Sequence, residues 1–247
     1  MTVTIFPLQD FPLINPGDDL ADILVAELRK ISLENGDIIV IAHTIVSKAE
    51  DKVYNLDEVN PSAFALQIGE LQEKDPRKIE VILQESSEII RMNEHVLITA
   101  TKHGFICANS GVDKSNTPGE TVVGLPDDPD LSARRIKERI LQDLGKNVAI
   151  IISDTFGRPL RVGTVNVAIG VVGINPVDDL RGHKDLFGYE LVSTVVAKAD
   201  EVAAAAGLVM GQADEGTPVI IVRGVEYAQV DTSAKILIRD RHTDVFR

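Results

Sequence analysis

The sequence predicts an α/β or α+β protein built around a mixed β-sheet. Three observations support this fold class: short aliphatic runs typical of buried strands, amphipathic helical patterns between them, and no strict alternation of strand and helix. The 247 residues are 44% hydrophobic but only 4% aromatic, with no tryptophan, so the predicted core is aliphatic. This length suits one large domain or two smaller ones that share a core.

Each predicted strand is a short run rich in valine, isoleucine or other apolar residues. In chain order, the strands are expected at Val3–Phe6, Asp37–Ala42, His95–Thr101, Phe105–Ala108, Val148–Ile152 and residues 218–224. The third and fourth are expected to pair, because only a short polar segment with a glycine separates them. A Gly/Val-rich stretch, residues 163–173, follows the fifth strand.

The predicted helices begin at aspartate, asparagine or proline signals. They are expected to start after Asp18 or Asp19, at Asn60-Pro61, at Asp75-Pro76, at residue 128 and at residue 189. The first has apolar side chains at helical spacing at Leu20, Ile23, Leu24, Leu28 and Ile31. The third is expected to run through Ile79, Ile82, Leu83, Ile89 and Ile90. Gly145 closes the fourth, and the fifth is a long alanine-rich helix that ends near Gly211.

The net charge of -13 argues against nucleic acid or an anionic membrane as a partner, since both require a basic surface. Cys107 is the only cysteine, so no intramolecular disulfide forms and a reducing compartment is expected. Its place in a predicted strand indicates a core residue and not a nucleophile. The N-terminus lacks a targeting pattern, and no run reaches the ~18 apolar residues of a membrane span, so a cytoplasmic location is expected.

Two short segments carry oxygen-bearing side chains with two competing interpretations. Asp154 and Thr155 follow a buried strand, where they could bind Mg²⁺ or Mn²⁺, or form a turn and helix cap. Asp113 and Asn116 lie in a glycine-bearing loop after a predicted strand. Asp113 could be a second metal carboxylate and Asn116 a ligand of a phosphate or base, but Asx-turns explain the same residues.

A third segment, MGQADEGTP at residues 210–218, combines small residues with oxygen ligands. Glycines there would let backbone N–H groups approach a phosphate, and Gln212, Asp214 and Glu215 add side-chain oxygens. A helix-to-strand loop with a glycine C-cap is the alternative interpretation. No G-x-x-x-x-G-K-[ST] phosphate-binding loop occurs in the sequence.

Several cations are candidates for an anion site within this acidic chain. Lys48 follows a buried strand and could reach a nucleotide phosphate, or simply be exposed. Arg158, Arg161, Arg181 and Lys184 are candidate anion or substrate contacts, with a solvated charged loop as the alternative for the last two. Metal carboxylates, glycine loops and cations together suit a metal–nucleotide substrate.

Motifs along the whole chain resemble one family. They are FPLI, GDIIVIAHTIVSKAE, HGFICANSGVDKSN, IISDTFGRP, the block from GHKDLFGYEL to TPVIIVRG, and the closing DVFR. In this order they are similar to the coenzyme F420-0:L-glutamate ligase family, the gamma-glutamyl ligases of deazaflavin coenzyme maturation. His183 and Tyr189 stand where the family pattern has arginines.

The resemblance implies a reaction. GTP would phosphorylate the terminal carboxylate of coenzyme F420-0, and the amine of L-glutamate would attack the resulting acyl phosphate. GDP and phosphate would be released, and a second glutamate could be added through the gamma-carboxylate. Two alternatives stay open: an amino-acid ligase that acts on a different carboxylate, and a non-catalytic nucleotide-binding protein.

The resemblance also implies roles for individual residues. Asp113 and Asp154 would be catalytic and would bind Mg²⁺ or Mn²⁺, one or two ions, together with Thr155 and Gln212. GTP would contact a set drawn from four segments, namely Phe11, Pro12, Leu13, Ile14, His43, Thr44, Lys48, Asn116, Met210, Gly211, Gln212, Ala213, Asp214, Glu215, Gly216 and Thr217. K⁺ is a further candidate cofactor.

The implied architecture is a two-lobed α/β ligase fold that forms an intertwined homodimer, with the active site near the subunit interface. Residues 1–247 would form a single ligase domain, without the C-terminal nitroreductase-like domain of some family members.

Overall fold

The structure is a computed structural model that describes residues 2–245; Phe246 and Arg247, the end of the DVFR motif, lie outside the described residues. The strands within this range are β1 (Thr4–Pro7), β2 (Ile38–Ala42), β3 (Val53–Asn55), β4 (Ser86–Met92), β5 (Leu97–Thr101), β6 (Ile106–Ala108), β7 (Thr121–Val123), β8 (Ala149–Arg158), β9 (Arg161–Val172), β10 (Asp178–Asp179), β11 (Val195–Val196) and β12 (Val219–Arg223). The α-helices are α1 (Leu20–Leu28), α2 (His43–Ala49), α3 (Ala63–Gln72), α4 (Pro76–Gln84), α5 (Pro129–Leu144) and α6 (Lys198–Met210).

The central sheet has five strands in the order β1-β12-β2-β8-β9. Only β2 and β8 pair in parallel, and the other three pairings are antiparallel, which confirms the prediction of a mixed sheet. Consecutive residues Ile38–Ile41 and Ile150–Ile152 are all fully buried. Because neighbouring side chains of a strand point to opposite faces, the middle of this sheet is covered on both sides.

A second hydrophobic cluster lies apart from the one around the central sheet. Its buried members are Leu56, Ala65, Ile68, Ile79, Val81, Ile82, Leu97, Val112 and Val122. Helices α3 and α4 and the antiparallel sheet β4-β5-β6 contribute to it, and β3 pairs with β7 beside it. The pairing of β5 with β6 confirms the predicted hairpin.

Several helix ends lie where the sequence places them. The Asp19 side chain accepts a hydrogen bond from the Asp22 N–H at the start of α1, and Asp128 does the same for Leu131 at the start of α5. Gly145 ends α5 with φ 64°, a left-handed conformation that glycine adopts without strain. No helix in residues 2–245 is long and apolar enough to cross a membrane.

Other helix boundaries differ from the prediction. Helix α4 ends at Gln84, and Ile89 and Ile90 belong to β4, which pairs with β5. Pairing with a neighbouring strand overrides the helical spacing of these β-branched residues. The N-cap of α3 is Ser62, the residue that follows the Asn60-Pro61 pair at which the helix is expected to start.

The alanine-rich helix is also shorter than expected. Helix α6 begins at Lys198, because Val195–Val196 pairs as β11 with β10 and residues 189–194 are not helical. Likewise α1 ends at Leu28, before the expected apolar position Ile31. In both cases apolar residues at helical spacing continue in the sequence beyond the residues that the helix can bury.

Strand β8 does not end near Ser153, so the alternative interpretation of Asp154 and Thr155, a turn and helix cap, is wrong. The strand continues to Arg158 and turns back into β9. Its register changes between the pairs Ile152↔Gly170 and Ser153↔Ala168, which leaves one extra residue on β9. Such a bulge inverts the alternation of side chains on the strand that carries it.

The two sides of this bulge face different helices. A Cβ at Gly170 would come within 2.5 Å of the backbone of Pro129 in α5, so glycine is required by the close approach. Asn166, on the other side of the bulge, packs against Gly207 of α6.

We therefore expect Gly170→Ala to destabilise the protein by about 1–3 kcal/mol, the usual cost of forcing an extra methyl group into a packed core. Urea unfolding followed by circular dichroism measures this change. Gly157→Ala, on β8 of the same hairpin, is the matched control, because nothing lies within 4 Å of the added methyl group. It should change the stability by less than about 0.5 kcal/mol. Equal stabilities of the two variants would contradict the described packing of α5 on β9.

Candidate functional site

A cavity of about 600 Å³ opens beside the point where the pairing of β2 with β8 ends. Its walls come from five segments that are far apart in the sequence: residues 11–14, 42–48, 107–116, 153–157 and 210–218, with Thr164 and Asn166 added from β9. These segments contain nearly every residue that the sequence analysis assigned to metal or nucleotide. Of that set only Asp214 does not line the cavity.

The parallel pair β2 and β8 places a histidine against a carboxylate. The two strands remain paired up to Ala42↔Ser153, and the next residue of each is polar. His43 begins α2, and its Nε2 lies 3.2 Å from Asp154 Oδ1. The other ring nitrogen lies 3.4 Å from Ser47 Oγ, one turn along the helix.

Burial lowers the pKa of the His43 imidazole. The Asp154 carboxylate, with a smaller contribution from Asp113, raises this pKa by more than burial lowers it, so the net shift is upward. Both carboxylates therefore act on the same buried ring, which places Asp113 and Asp154 in one electrostatic environment although 41 residues separate them along the chain.

Asp113 forms an Asx-turn, as the alternative interpretation of this loop predicts. Its Oδ1 accepts a hydrogen bond from the Ser115 N–H at 3.0 Å, and its Oδ2 accepts one from the Ser115 hydroxyl. Burial raises the pKa of Asp113, but the Ser115 hydrogen bonds and the charges of His43 and Lys78 lower it more, so that the net shift is downward. The turn thus holds an ionised carboxylate at the cavity wall.

Lys48 and Asn116 connect this loop to the neighbouring walls. Lys48 Nζ donates to the backbone oxygen of Asn116 at 2.6 Å, and Asn116 Nδ2 donates to the backbone oxygen of Ala213 at 3.2 Å. Burial lowers the pKa of Lys48, with Asp113 acting in the opposite direction. The predicted nucleotide residues of three segments are therefore in direct contact.

Thr155 and Gln212 meet at one polar cluster. The Thr155 hydroxyl lies 3.0 Å from Gln212 Oε1 and 3.1 Å from Asn166 Oδ1, and Gln212 Nε2 donates to Asn166 Oδ1 at 2.9 Å. The backbone N–H of Thr155 donates to Asp154 Oδ1 at 2.6 Å. Residues predicted as separate ligands are thus linked by hydrogen bonds.

The loop after α6 has the glycine C-cap of one interpretation, and it also lines the cavity, as the phosphate-binding interpretation requires. Gly211 has φ 73° and its N–H bonds to the Gly207 carbonyl at the helix end. A Cβ at Gly211 would lie 2.1 Å from the Glu215 carboxyl carbon, whose oxygen accepts from the Ala213 N–H at 2.8 Å. The loop folds tightly over its own glutamate while Met210–Gly211 and Thr217 line the cavity.

The Phe11–Ile14 segment forms an apolar wall. Phe11 and Ile14 are buried in the main core cluster, whereas Leu13 is 90% exposed. Thr44 lies beside His43 in the first turn of α2 and also lines the cavity.

The four candidate anion contacts lie outside this cavity. Arg158 donates to the Val162 backbone oxygen at the tip of the β8–β9 hairpin, and Arg161 begins β9 at the same tip. Arg181 forms an ion pair with Asp179, and the backbone of Lys184 forms an isolated antiparallel β-bridge with that of Glu190. Within one chain, these cations are not brought together with Asp113 and Asp154.

The donor atoms at the cavity wall fit a hard divalent cation. Carboxylate, hydroxyl and amide oxygens from Asp113, Asp154, Thr155 and Gln212 are the ligand types that Mg²⁺ and Mn²⁺ prefer. Within residues 2–245 no group of three or more His, Cys, Asp and Glu side chains is placed to hold a metal. A cation here would therefore depend on the hydroxyl and the amide in addition to the two carboxylates, with water filling its remaining coordination positions.

Sequence reasoning missed three polar groups at the wall. Among the described residues, neither Ser153 Oγ nor Asn109 Oδ1, both buried, has a hydrogen-bond partner, and Asn166 is buried inside the valine-rich β9. A lone asparagine in an aliphatic strand is the one signal that could have identified Asn166. Cys107 is buried as expected, and burial, followed by Asp154, raises the pKa of its thiol to about 12, so it stays protonated.

Comparisons with known proteins agree with the motifs. The family described as F420-0:Gamma-glutamyl ligase matches residues 9–224. The chain is 48% identical to the coenzyme F420:L-glutamate ligase of Methanothermobacter thermautotrophicus, over 100% of both chains. It is 48% identical to the enzyme of that name from Methanopyrus kandleri, over 100% of this chain and 98% of the relative, and 40% identical to the one from Archaeoglobus fulgidus, over 100% and 97%. The chain therefore belongs to the F420-0:gamma-glutamyl ligase family.

Proposed function

We propose that this protein is a GTP-dependent ligase that joins L-glutamate to coenzyme F420-0, giving F420-1 and, by gamma-linkage, F420-2. The relatives that cover the full chain are named coenzyme F420:L-glutamate ligase. The observation that carries the proposal is one cavity, whose wall gathers residues of five distant segments that lie within the motifs.

The chemistry requires activation of a carboxylate. A carboxylate oxygen of the acceptor attacks the γ-phosphorus of GTP, the bond to the β-phosphate oxygen breaks, and GDP leaves. The amine of glutamate, after losing a proton, attacks the acyl carbon, and inorganic phosphate leaves with the bonding electron pair. A bound Mg²⁺ or Mn²⁺ would neutralise charge on the transferring phosphoryl group.

Residues of the chain would share this work in three groups. Asp113, Asp154, Thr155 and Gln212 supply oxygens for the cation, as the donor chemistry of the wall allows. Lys48 supplies a positive charge that is half-buried and already bonded within the site, which suits a nucleotide phosphate. Phe11–Ile14 supplies an apolar wall for the base.

The first experiment measures GDP release from GTP and Mn²⁺ with F420-0 and L-glutamate present together, or with either one absent. We expect release only when both are present, with a product that is heavier by one or two glutamyl units in mass spectrometry. GDP release with glutamate and a different carboxylic acid would move the proposal to another acceptor. GTP binding without any GDP release would support a non-catalytic nucleotide-binding protein.

Asp154→Asn should lower the turnover by about 100-fold or more, because the amide keeps the shape of the side chain but removes a charge that the cation needs. The measurement is the initial rate of glutamylation at saturating GTP. Asp51→Asn is the matched control: Asp51 lies outside the cavity and has φ 59°, a conformation that asparagine tolerates. Full turnover in Asp154→Asn would contradict the assigned role.

We further propose that two lobes and an intertwined homodimer complete the site. The two hydrophobic clusters support two lobes. Large apolar side chains project from two parts of the chain: Leu160 and Val162 at the hairpin tip, and Leu186 and Phe187 in the loop between β10 and β11, all at least 91% exposed. A second copy of the chain would cover these side chains, and the same segments carry Arg158, Arg161, Arg181 and Lys184.

We expect sedimentation equilibrium to give twice the mass of one chain, and the double variant Leu186→Glu/Phe187→Glu to shift the protein toward the monomer. The charges would have to be buried on association, which is costly without partners. Leu208→Glu is the control, since Leu208 is also 86% exposed but lies on α6. A wild-type protein that sediments as a monomer would contradict the proposed dimer.

A further inference from the structure

Asn166 is a buried polar residue in the middle of an otherwise apolar strand. Only 4% of it is exposed, and it lies directly opposite Thr155 in the β8–β9 ladder. Without the bulge that follows Ile152, the register would place Val167 opposite Thr155 instead. The extra residue on β9 therefore brings an amide side chain next to the Thr155 hydroxyl, on the same face of the hairpin.

Both polar atoms of the Asn166 side chain have hydrogen-bond partners. Its Oδ1 accepts a hydrogen bond from Gln212 Nε2 at 2.9 Å, and it lies 3.1 Å from the Thr155 hydroxyl, whose one proton is shared between this oxygen and Gln212 Oε1. Its Nδ2 donates to the sulfur of Met210 at 3.6 Å. One carbonyl oxygen thus joins β8, β9 and the loop after α6.

This pattern fixes which atom of the Gln212 amide faces which neighbour. With Nε2 bonded to Asn166, the amide oxygen of Gln212 lies 3.0 Å from Thr155 Oγ1. A reversed amide would bring two carbonyl oxygens together at the Asn166 contact, with no proton between them. Asn166 therefore keeps the Gln212 oxygen on the Thr155 side.

Helix α6 holds the carboxamide of Asn166 in place. A Cβ at Gly207 would lie only 3.1 Å from Asn166 Cγ, and 3.3 Å from both its amide nitrogen and oxygen. The absence of a side chain at Gly207 is what leaves room for this amide. Any larger residue there would have to displace it from this position.

We propose that Asn166 is a positioning residue of the divalent-cation site, which orients the Thr155 hydroxyl and the Gln212 amide so that their oxygens can bind the ion. The inference rests on the proposed function, because it takes Thr155 and Gln212 as cation ligands. Hydrogen-bond partners behind metal ligands act in this way: they fix the orientation of the ligand, and their loss weakens metal binding.

The test is Mn²⁺ binding to the purified full-length chain, followed by the loss of the free-Mn²⁺ signal in electron paramagnetic resonance, with no substrate present. Asn166→Leu keeps the approximate shape but removes the acceptor, and we expect Mn²⁺ affinity to fall about 10- to 100-fold. Asn166→Asp keeps an oxygen that accepts from both neighbours, and it should restore binding to near the wild-type level. Val165→Ala, one residue away on the same strand, should bind Mn²⁺ like the wild type.

Gly207→Ala gives an independent perturbation that leaves Asn166 in place. The new methyl group must displace the carboxamide, so Mn²⁺ affinity should fall severalfold, although alanine favours a helix more than glycine does. Should Asn166→Leu fail to fold, Gly207→Ala and Asn166→Asp decide the question, and wild-type affinity in Gly207→Ala would then overturn the proposal.

The remaining outcomes separate this inference from the proposed function. Mn²⁺ binding that is lost in Asp154→Asn but unchanged in a folded Asn166→Leu would overturn the role of Asn166 alone. A wild-type chain that binds no Mn²⁺ would overturn both the cation site and the role of Asn166. If Asn166→Leu binds Mn²⁺ weakly and Asn166→Asp does not restore the affinity, the result would indicate a packing role for Asn166. This outcome would also overturn the proposal.

Discussion

The site depends on the parallel pairing of β2 and β8 at the centre of the sheet. Five residues of each strand are in register, from Ile38↔Ala149 to Ala42↔Ser153, and nearly all are fully buried. Because the two strands run in the same direction, the residues that follow their last pair, His43 and Asp154, lie next to each other. His43 and Asp154 meet there at 3.2 Å, and the other walls of the cavity assemble around this pair.

Charge balance inside the cavity differs from that of the whole chain. The protein carries a net charge of -13, yet Asp113 and Asp154 at the wall are accompanied by a buried imidazole and a half-buried lysine. Buried charges are stabilised by pairing, and the Asp154 carboxylate accordingly raises the pKa of the His43 imidazole against the effect of burial. An acidic protein can thus offer a local environment suited to an anionic substrate and its counter-cation.

Structural and functional interpretations of the same residue are compatible at several positions. Asp113 forms an Asx-turn with Ser115 and also lines the cavity, and Gly211 ends α6 while its loop forms part of the wall. The turn lowers the conformational freedom of the carboxylate, which is what a preorganised ligand requires. Only at Asp154 did the two interpretations exclude each other, since the strand continues there and no turn forms.

The sequence by itself determined the features that local forces control. The aliphatic run Val148–Ile152, the Asp19 and Asp128 caps and the Gly145 helix end all lie where the residues predict, because each depends on neighbours a few positions away. The motifs likewise identified most of the cavity wall. Only the tertiary structure decided the rest: whether Ile89 and Ile90 continue a helix or pair with β5, and which residue of β9 lies opposite Thr155. Strand pairing and a single bulge set these outcomes, and both depend on contacts between segments that no local pattern records.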